Sequence, residues 1–97
     1  MAIRVEYIGA AARATGTAGA EIEGVDGSFT VRRVLETLDA RTEGRLLRAL
    51  GMDDSMTGAP ASFGVFVNGR NYHLLDGLDT PVADGDVVVV GTLLSGG

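Results

Sequence analysis

The chain of 97 residues closes on Gly96-Gly97, and the carboxylate of Gly97 is its most distinctive reactive group. Two glycines carry no Cβ, so they form the thinnest strand that can thread a narrow active-site channel. Five extended residues, Leu93 to Gly97, reach about 17 Å. That is far enough to present a carboxylate deep inside another protein. A carboxylate is a poor electrophile. Adenylation by ATP turns it into a mixed anhydride, from which AMP departs when sulfur or an amine attacks.

The rest of the chain offers little chemistry of its own. It has no cysteine and no lysine, and all eight basic residues are arginines. A disulfide framework, a thiolate metal site and a cysteine nucleophile are therefore excluded. So are a Walker-type phosphate loop and a side-chain Schiff base. Activation of Gly97 must come from a partner enzyme. The lack of lysine also means that this chain can donate its C-terminus but has no lysine side chain to receive another. One histidine, His73, cannot supply a paired-imidazole metal site. With no Ser-His-Asp context around it, it reads as a structural or surface histidine rather than a general base. The pairs Asp53-Asp54 and Asp84/Asp86 could hold a cation, but loop and turn hydrogen bonding accounts for both. No cofactor or metal is expected on this chain. Arg41, Arg45 and Arg48 fall at helical spacing and read as a solvated face, with partner docking second. Ile8, Phe63 and Phe66 are candidates for an exposed apolar docking patch.

These residues need a scaffold. A net charge of −5, with 45% apolar and 22% charged residues, fits one small folded domain and argues against nucleic-acid binding. No signal-peptide pattern opens the chain, and no apolar run approaches a membrane span, so a cytoplasmic protein without membrane contact is the expectation. Ile3, Val5 and Tyr7 alternate with charged residues as in a half-buried strand. Gly9 to Gly19 reads as a connecting loop, since its glycines do not match a phosphate-binding spacing. Ala20 to Val25 alternates as a second strand. Thr30 is a good N-cap for a helix over 31–41, with Val31, Val34, Leu35 and Leu38 on one apolar stripe. Leu46, Leu47 and Leu50 predict a short second helix closed by Gly51. Gly51 to Ser62 reads as a long surface loop.

Phe63 to Val67 is a third strand, and Asn68-Gly69 predicts a type I′ hairpin to a return strand over Arg70 to Leu74. Asp84-Gly85-Asp86 turns the chain into Val87–Val90, whose unbroken β-branched run predicts a central strand buried on both faces. This order implies an α+β fold of the β-grasp type, with a mixed sheet of about five strands packed on one main helix. The last strand is expected to run parallel to the first. The domain is expected over 1–92, with an extended tail over 93–97.

In this order and spacing the chain resembles the MoaD/ThiS-like sulfur carriers, small ubiquitin-like β-grasp proteins with a C-terminal Gly-Gly. The resemblance rests on Ile3–Tyr7 followed by Ala11-Ala12-Arg13-Ala14-Thr15-Gly16, the helix from Thr30-Val31, Val65-Phe66-Val67-Asn68-Gly69, Val82-Ala83-Asp84-Gly85-Asp86-Val87, and Gly96-Gly97. It implies that a ubiquitin-activating-type adenylyltransferase (MoeB/ThiF-like), using ATP and magnesium, adenylates Gly97. A sulfur donor such as a persulfide enzyme would then give a C-terminal thiocarboxylate, to be used by a downstream sulfur-accepting synthase. The products would be molybdopterin, thiamine, cysteine or another metabolite. The chain would be a carrier and co-substrate, or the small subunit of a sulfur-transferring synthase, rather than an enzyme. Gly96 would supply the slim approach, and Leu93, Leu94, Ile8 and Phe66 would meet the partner. Two alternatives stay open: a ubiquitin-like modifier joined through its terminal glycine to target lysines, and a non-covalent β-grasp interaction module.

Overall fold

The computed structural model describes residues 2–24, 27–52 and 63–92. Among these residues five strands form one sheet: β1 (Ala2–Ile8), β2 (Gly19–Glu23), β3 (Phe63–Val67), β4 (Arg70–Asn71) and β5 (Val87–Thr92), in the order β2-β1-β5-β3-β4. Three α-helices among the described residues accompany it: α1 (Ala10–Thr15), α2 (Val31–Arg41) and α3 (Arg45–Ala49). The central pair β1–β5 is parallel and the other three pairings are antiparallel. This is the ubiquitin-like β-grasp.

The sheet buries one face. Ile3, Val5 and Tyr7 of β1 point inward with Val88 and Val90 of β5, and they meet the α2 stripe Val31, Val34, Leu35 and Leu38, all four fully buried. Each such side chain contributes about 1.5–3 kcal/mol of burial. The Thr30 hydroxyl caps α2 by accepting the Arg33 N–H at 3.3 Å. Gly51 closes α3 as predicted. It takes a φ of +79°, its N–H donates to the Arg48 carbonyl at 3.1 Å, and Met52 N–H reaches back to the Leu47 carbonyl at 3.0 Å. That pairing is a Schellman motif. The Asn68-Gly69 turn has φ of +52° and +85°, as a type I′ hairpin requires.

Four expectations are corrected. The stretch from Gly9 to Gly19 is not a plain loop, because Ala10–Thr15 forms α1, ended by Gly16 in the left-handed region. Alanine is the best helix former, and a six-residue alanine-rich helix carries no apolar period to betray it. β2 covers Gly19–Glu23 instead of Ala20–Val25, and Gly24, at φ +77°, turns the chain away. The return strand stops at Asn71. There the Asn71 side chain accepts the His73 N–H at 2.9 Å, and Tyr72–Leu74 winds into a 3₁₀ turn. Finally, the valine run is covered on one face only. Val88 and Val90 are buried, whereas Val87 and Val89 are half-buried on the face away from the helices.

The pairs Val5–Ala20 and Ile3–Ile22, with Tyr7 N–H donating to the Ala18 carbonyl at 2.9 Å, turn the backbone groups of Gly19, Glu21 and Glu23 outward. Thr17 Oγ1 donates to the Gly19 carbonyl at 3.1 Å and accepts its N–H at 3.4 Å. Arg41 Nη1 donates to the Glu21 carbonyl at 2.9 Å.

Candidate functional site

Gly96, Gly97, Leu93 and Leu94 lie outside the described residues, as do Asp53 and Asp54. The structure places the root of the tail and the sheet face beside it. β5 ends at Thr92, next to the junction of β1 with α1. Ile8 is the last β1 partner of β5, opposite Gly91, and Gly91 is paired on its other side with Gly64 of β3. This row across the outer face therefore reads Ile8, Gly91, Gly64, a strip of bare backbone walled by Ile8 at one end. A Cβ on Gly91 would sit 2.6 Å from Ile8 Cγ1 and would overlap the Ile8 carbonyl oxygen. Only glycine lets the two strands approach this closely.

One row down, Val89 of β5 lies between Glu6 of β1 and Phe66 of β3. Ile8 and Phe66 are both half-buried and share this outer face with Val87 and Val89, because residues two apart in a strand face the same way. Ile8 is diagonal to Val89 and Phe66 is directly beside it. The structure thus brings the two predicted docking residues to opposite sides of one apolar strip. It adds Val87 and Val89, which the sequence reading assigned to the core. Phe63 is paired with Thr92 in the ladder, and its side chain lies outside the described part of the structure. Glu6, Glu21 and Glu23 are exposed on the β1–β2 side of the same face, with Arg4 among them. The strip is therefore flanked by carboxylates on one side.

At the root itself, Thr92 Oγ1 accepts the Ala10 N–H at 3.0 Å. Ala10 is the first residue of α1, so its amide is one of the donors that a helix start leaves without an intrahelical partner. The hydroxyl of Thr92 thus caps α1 from 82 positions away. Gly9 takes a φ of +56°, and a Cβ there would lie 2.7 Å from the Thr92 carbonyl oxygen.

The remaining candidates serve the scaffold. Asp86 uses both carboxylate oxygens, accepting Asn68 Nδ2 at 3.0 Å and the Ala83 N–H at 2.8 Å. Asp84 accepts the Ala2 N–H at 2.6 Å. Asp86 thus closes its own turn and ties it to the β3–β4 hairpin, whereas Asp84 bonds the start of β1 instead of the following backbone that the sequence reading assigns it. Among the described residues no group of three or more His, Asp or Glu side chains is arranged to hold a metal ion. His73 is exposed and its ring packs against that of Tyr72, with 4.2 Å between centroids. Arg41, Arg45 and Arg48 are all exposed, and the first two donate to backbone carbonyls, Arg45 Nε to Thr42 at 3.1 Å. Two phenols are perturbed: burial raises both Tyr7 and Tyr72, and the nearby Arg41 guanidinium partly offsets the effect at Tyr7. No helix among the described residues is long and apolar enough to cross a membrane.

A two-layer sheet-on-helix domain with its central strands β1 and β5 parallel has the ubiquitin-like β-grasp fold. Comparison narrows the class. A family model described as the ThiS family matches residues 5–97, and the chain belongs to that family. Among solved structures it is similar to SAMP1 from Haloferax volcanii (TM-score 0.77, 22% identity, 100% of both chains covered). It is also similar to a putative molybdopterin converting factor subunit 1 from Pyrococcus furiosus (TM-score 0.67, 25% identity, 95% of this chain and 97% of that one). A third likeness is to Mycobacterium tuberculosis CysO (TM-score 0.69, 26% identity, 95% of this chain and 99% of that one). No curated protein matches the sequence.

Proposed function

We propose that this chain is a sulfur carrier that works through the carboxyl of Gly97. The observation that carries the reading is the family match, which runs through the tail to residue 97, on a chain otherwise without cysteine or lysine nucleophiles. The Gly97 carboxylate attacks the α-phosphorus of ATP held with magnesium by an adenylyltransferase, and pyrophosphate leaves. A persulfide then attacks the acyl adenylate, expelling AMP and leaving an acyl disulfide. A second thiol attacks the donor's own sulfur, the one not bonded to the acyl carbon, so a disulfide forms on the donor and the thiocarboxylate leaves. The chain contributes no acid or base to these steps. Its part is delivery, with Gly96 and Gly97 threading the channel and Leu93 and Leu94 against its walls. Docking falls to the strip formed by Ile8, Val87, Val89 and Phe66. Its carboxylate flank suits a partner whose apolar contact is bordered by arginine or lysine.

The chain acts as a co-substrate or small subunit rather than as an enzyme. Among destinations, molybdopterin synthesis gains support from the Pyrococcus furiosus neighbour named above, and thiamine and cysteine synthesis stay open beside it. A modifier reading shares the activation step and differs only in the nucleophile, a lysine amine in place of sulfur. The similarity to SAMP1 extends to the fold and leaves that choice to experiment.

The test is mass spectrometry of the intact chain after incubation with an adenylyltransferase from its source, ATP, magnesium and a persulfide donor. Exchange of one terminal oxygen for sulfur is expected in the full chain and in none lacking Gly96 and Gly97. A Gly-Gly remnant on lysines of other proteins would favour the modifier instead. A binding function untouched by removal of both glycines would refute both.

A further inference from the structure

We propose that Thr92 is a positioning residue for the terminal glycine, its hydroxyl fixing the point and direction from which the tail leaves the domain. The inference rests on the carrier reading for its purpose but on separate observations for its geometry. Each of the last two residues of β5 is held against the same short segment, Ile8-Gly9-Ala10. Gly91 lies under Ile8 so closely that no side chain fits between them. Thr92 meets Gly9 just as closely, and its Oγ1 accepts the Ala10 amide at 3.0 Å. On the opposite side the ladder to β3 runs to its end, pairing Thr92 with Phe63. The root is therefore gripped from both neighbouring strands, and by a side chain besides.

Besides capping α1, this grip fixes the point at which any segment beyond Thr92 begins. β5 could end anywhere along the sheet if the tail were incidental. The observed ending commits a hydroxyl to the first amide of α1, one of the donors that a helix start leaves without an intrahelical partner. Position 9 is unable to carry a side chain, because its Cβ would collide with the Thr92 hydroxyl and carbonyl. Glycine at 9 thus admits Thr92, and Thr92 serves the first amide of α1 from outside the helix. Freeing the root would lengthen the span between the last anchored residue and the carboxyl, and the density of a tethered group at its target falls as that span grows.

The test uses the full chain with one spin label at Ser95→Cys, which is unambiguous because the chain has no native cysteine. Thr92→Val keeps the shape and strand preference of the side chain and removes the hydroxyl. Thr92→Ser restores it. In the wild-type background and in Thr92→Ser, paramagnetic broadening should concentrate on amides around Gly9–Arg13 and Gly64. The Ala10 amide should also resist hydrogen exchange. In Thr92→Val, with dispersed amide spectra reporting a folded domain, broadening should spread over the surface and Ala10 protection should fall about tenfold. With an adenylyltransferase that activates the wild type, pyrophosphate release should show KM raised at least twofold and kcat unchanged. A broadening pattern in Thr92→Val identical to wild type overturns the proposal. An anchored wild-type tail that no adenylyltransferase activates would instead refute the carrier reading and leave the anchor standing.

Discussion

Gly91→Ala is the sharpest test of the close approach at the base of the tail. The added Cβ would stand 2.6 Å from Ile8 Cγ1 and 2.8 Å from the Ile8 carbonyl carbon, and it would overlap the carbonyl oxygen. Cγ1 can rotate away, but the carbonyl cannot, because Ile8 is fixed in the parallel ladder with β5. Relief requires the strands to part where Gly91 is also paired with Gly64. Forcing extra volume into a packed site costs about 1–3 kcal/mol, and a φ of +157°, rarely adopted by residues with side chains, adds about 1–3 kcal/mol. We expect a loss of about 3 kcal/mol, or a fall in Tm of at least about 12 °C for a domain this small. Urea denaturation followed by circular dichroism measures it, with an unchanged m-value marking a pure stability effect. Gly27→Ala is the control, since that glycine has nothing within 4 Å of a Cβ; it should lie within about 0.5 kcal/mol of wild type. A Gly91→Ala chain within about 1 kcal/mol of wild type would refute the argument that the two strands exclude a side chain there.

Other outcomes depend on the same geometry. Asp86→Ala removes the acceptor of both Asn68 Nδ2 and the Ala83 N–H; at about 1 kcal/mol per bond, thermal melts should report a loss of about 2 kcal/mol. Glu43 takes a φ of +56° where α2 ends, a conformation unfavourable to a side chain, so Glu43→Gly should stabilise by up to about 1 kcal/mol in the same melts. The two tyrosines, Tyr7 and Tyr72, both have phenols raised above 10.0, so absorbance at alkaline pH should report ionisation later than that of free tyrosine. The sign is that of a group binding its proton more tightly when folded. The stabilisation is complete below pH 10 and is lost as pH climbs through the folded values. Arg41→Ala should delay Tyr7 further, and an unchanged or earlier transition would contradict the placement of its guanidinium.

Much of the scaffold is legible in the sequence because local and global preferences agree. Thr30 caps the helix whose stripe it precedes, Asn68-Gly69 takes positive φ at both residues, and β1 alternates with one buried face. Where the sequence misleads, the deciding group is distant. α1 has six residues without an apolar period, and the hydroxyl that caps it belongs to Thr92. Val87 and Val89 look no different from Val88 and Val90. Only the single helical layer settles which pair is covered, so half of the apolar strip is invisible within a run of identical residues. The early end of β4 depends on the Asn71 side chain bonding two residues ahead. Ile8 and Phe66 can be singled out individually, but their sharing one face depends on register with β5, which no local pattern encodes.

The side chains lying along β2 have a consequence for how this molecule can be recognised. Thr17 occupies both outward groups of Gly19, and Arg41 occupies the outward carbonyl of Glu21. At the other margin β4 is two residues long. Open margins of a sheet are templates on which foreign strands, or further copies of the same chain, can lay themselves. Here the protein itself occupies the outward groups of Gly19 and the outward carbonyl of Glu21 at one margin, and the other margin is short. Partners that exchange on and off such a molecule must read it by its exposed face and its end, and high concentrations of it are denied the simplest route to stacking into fibres.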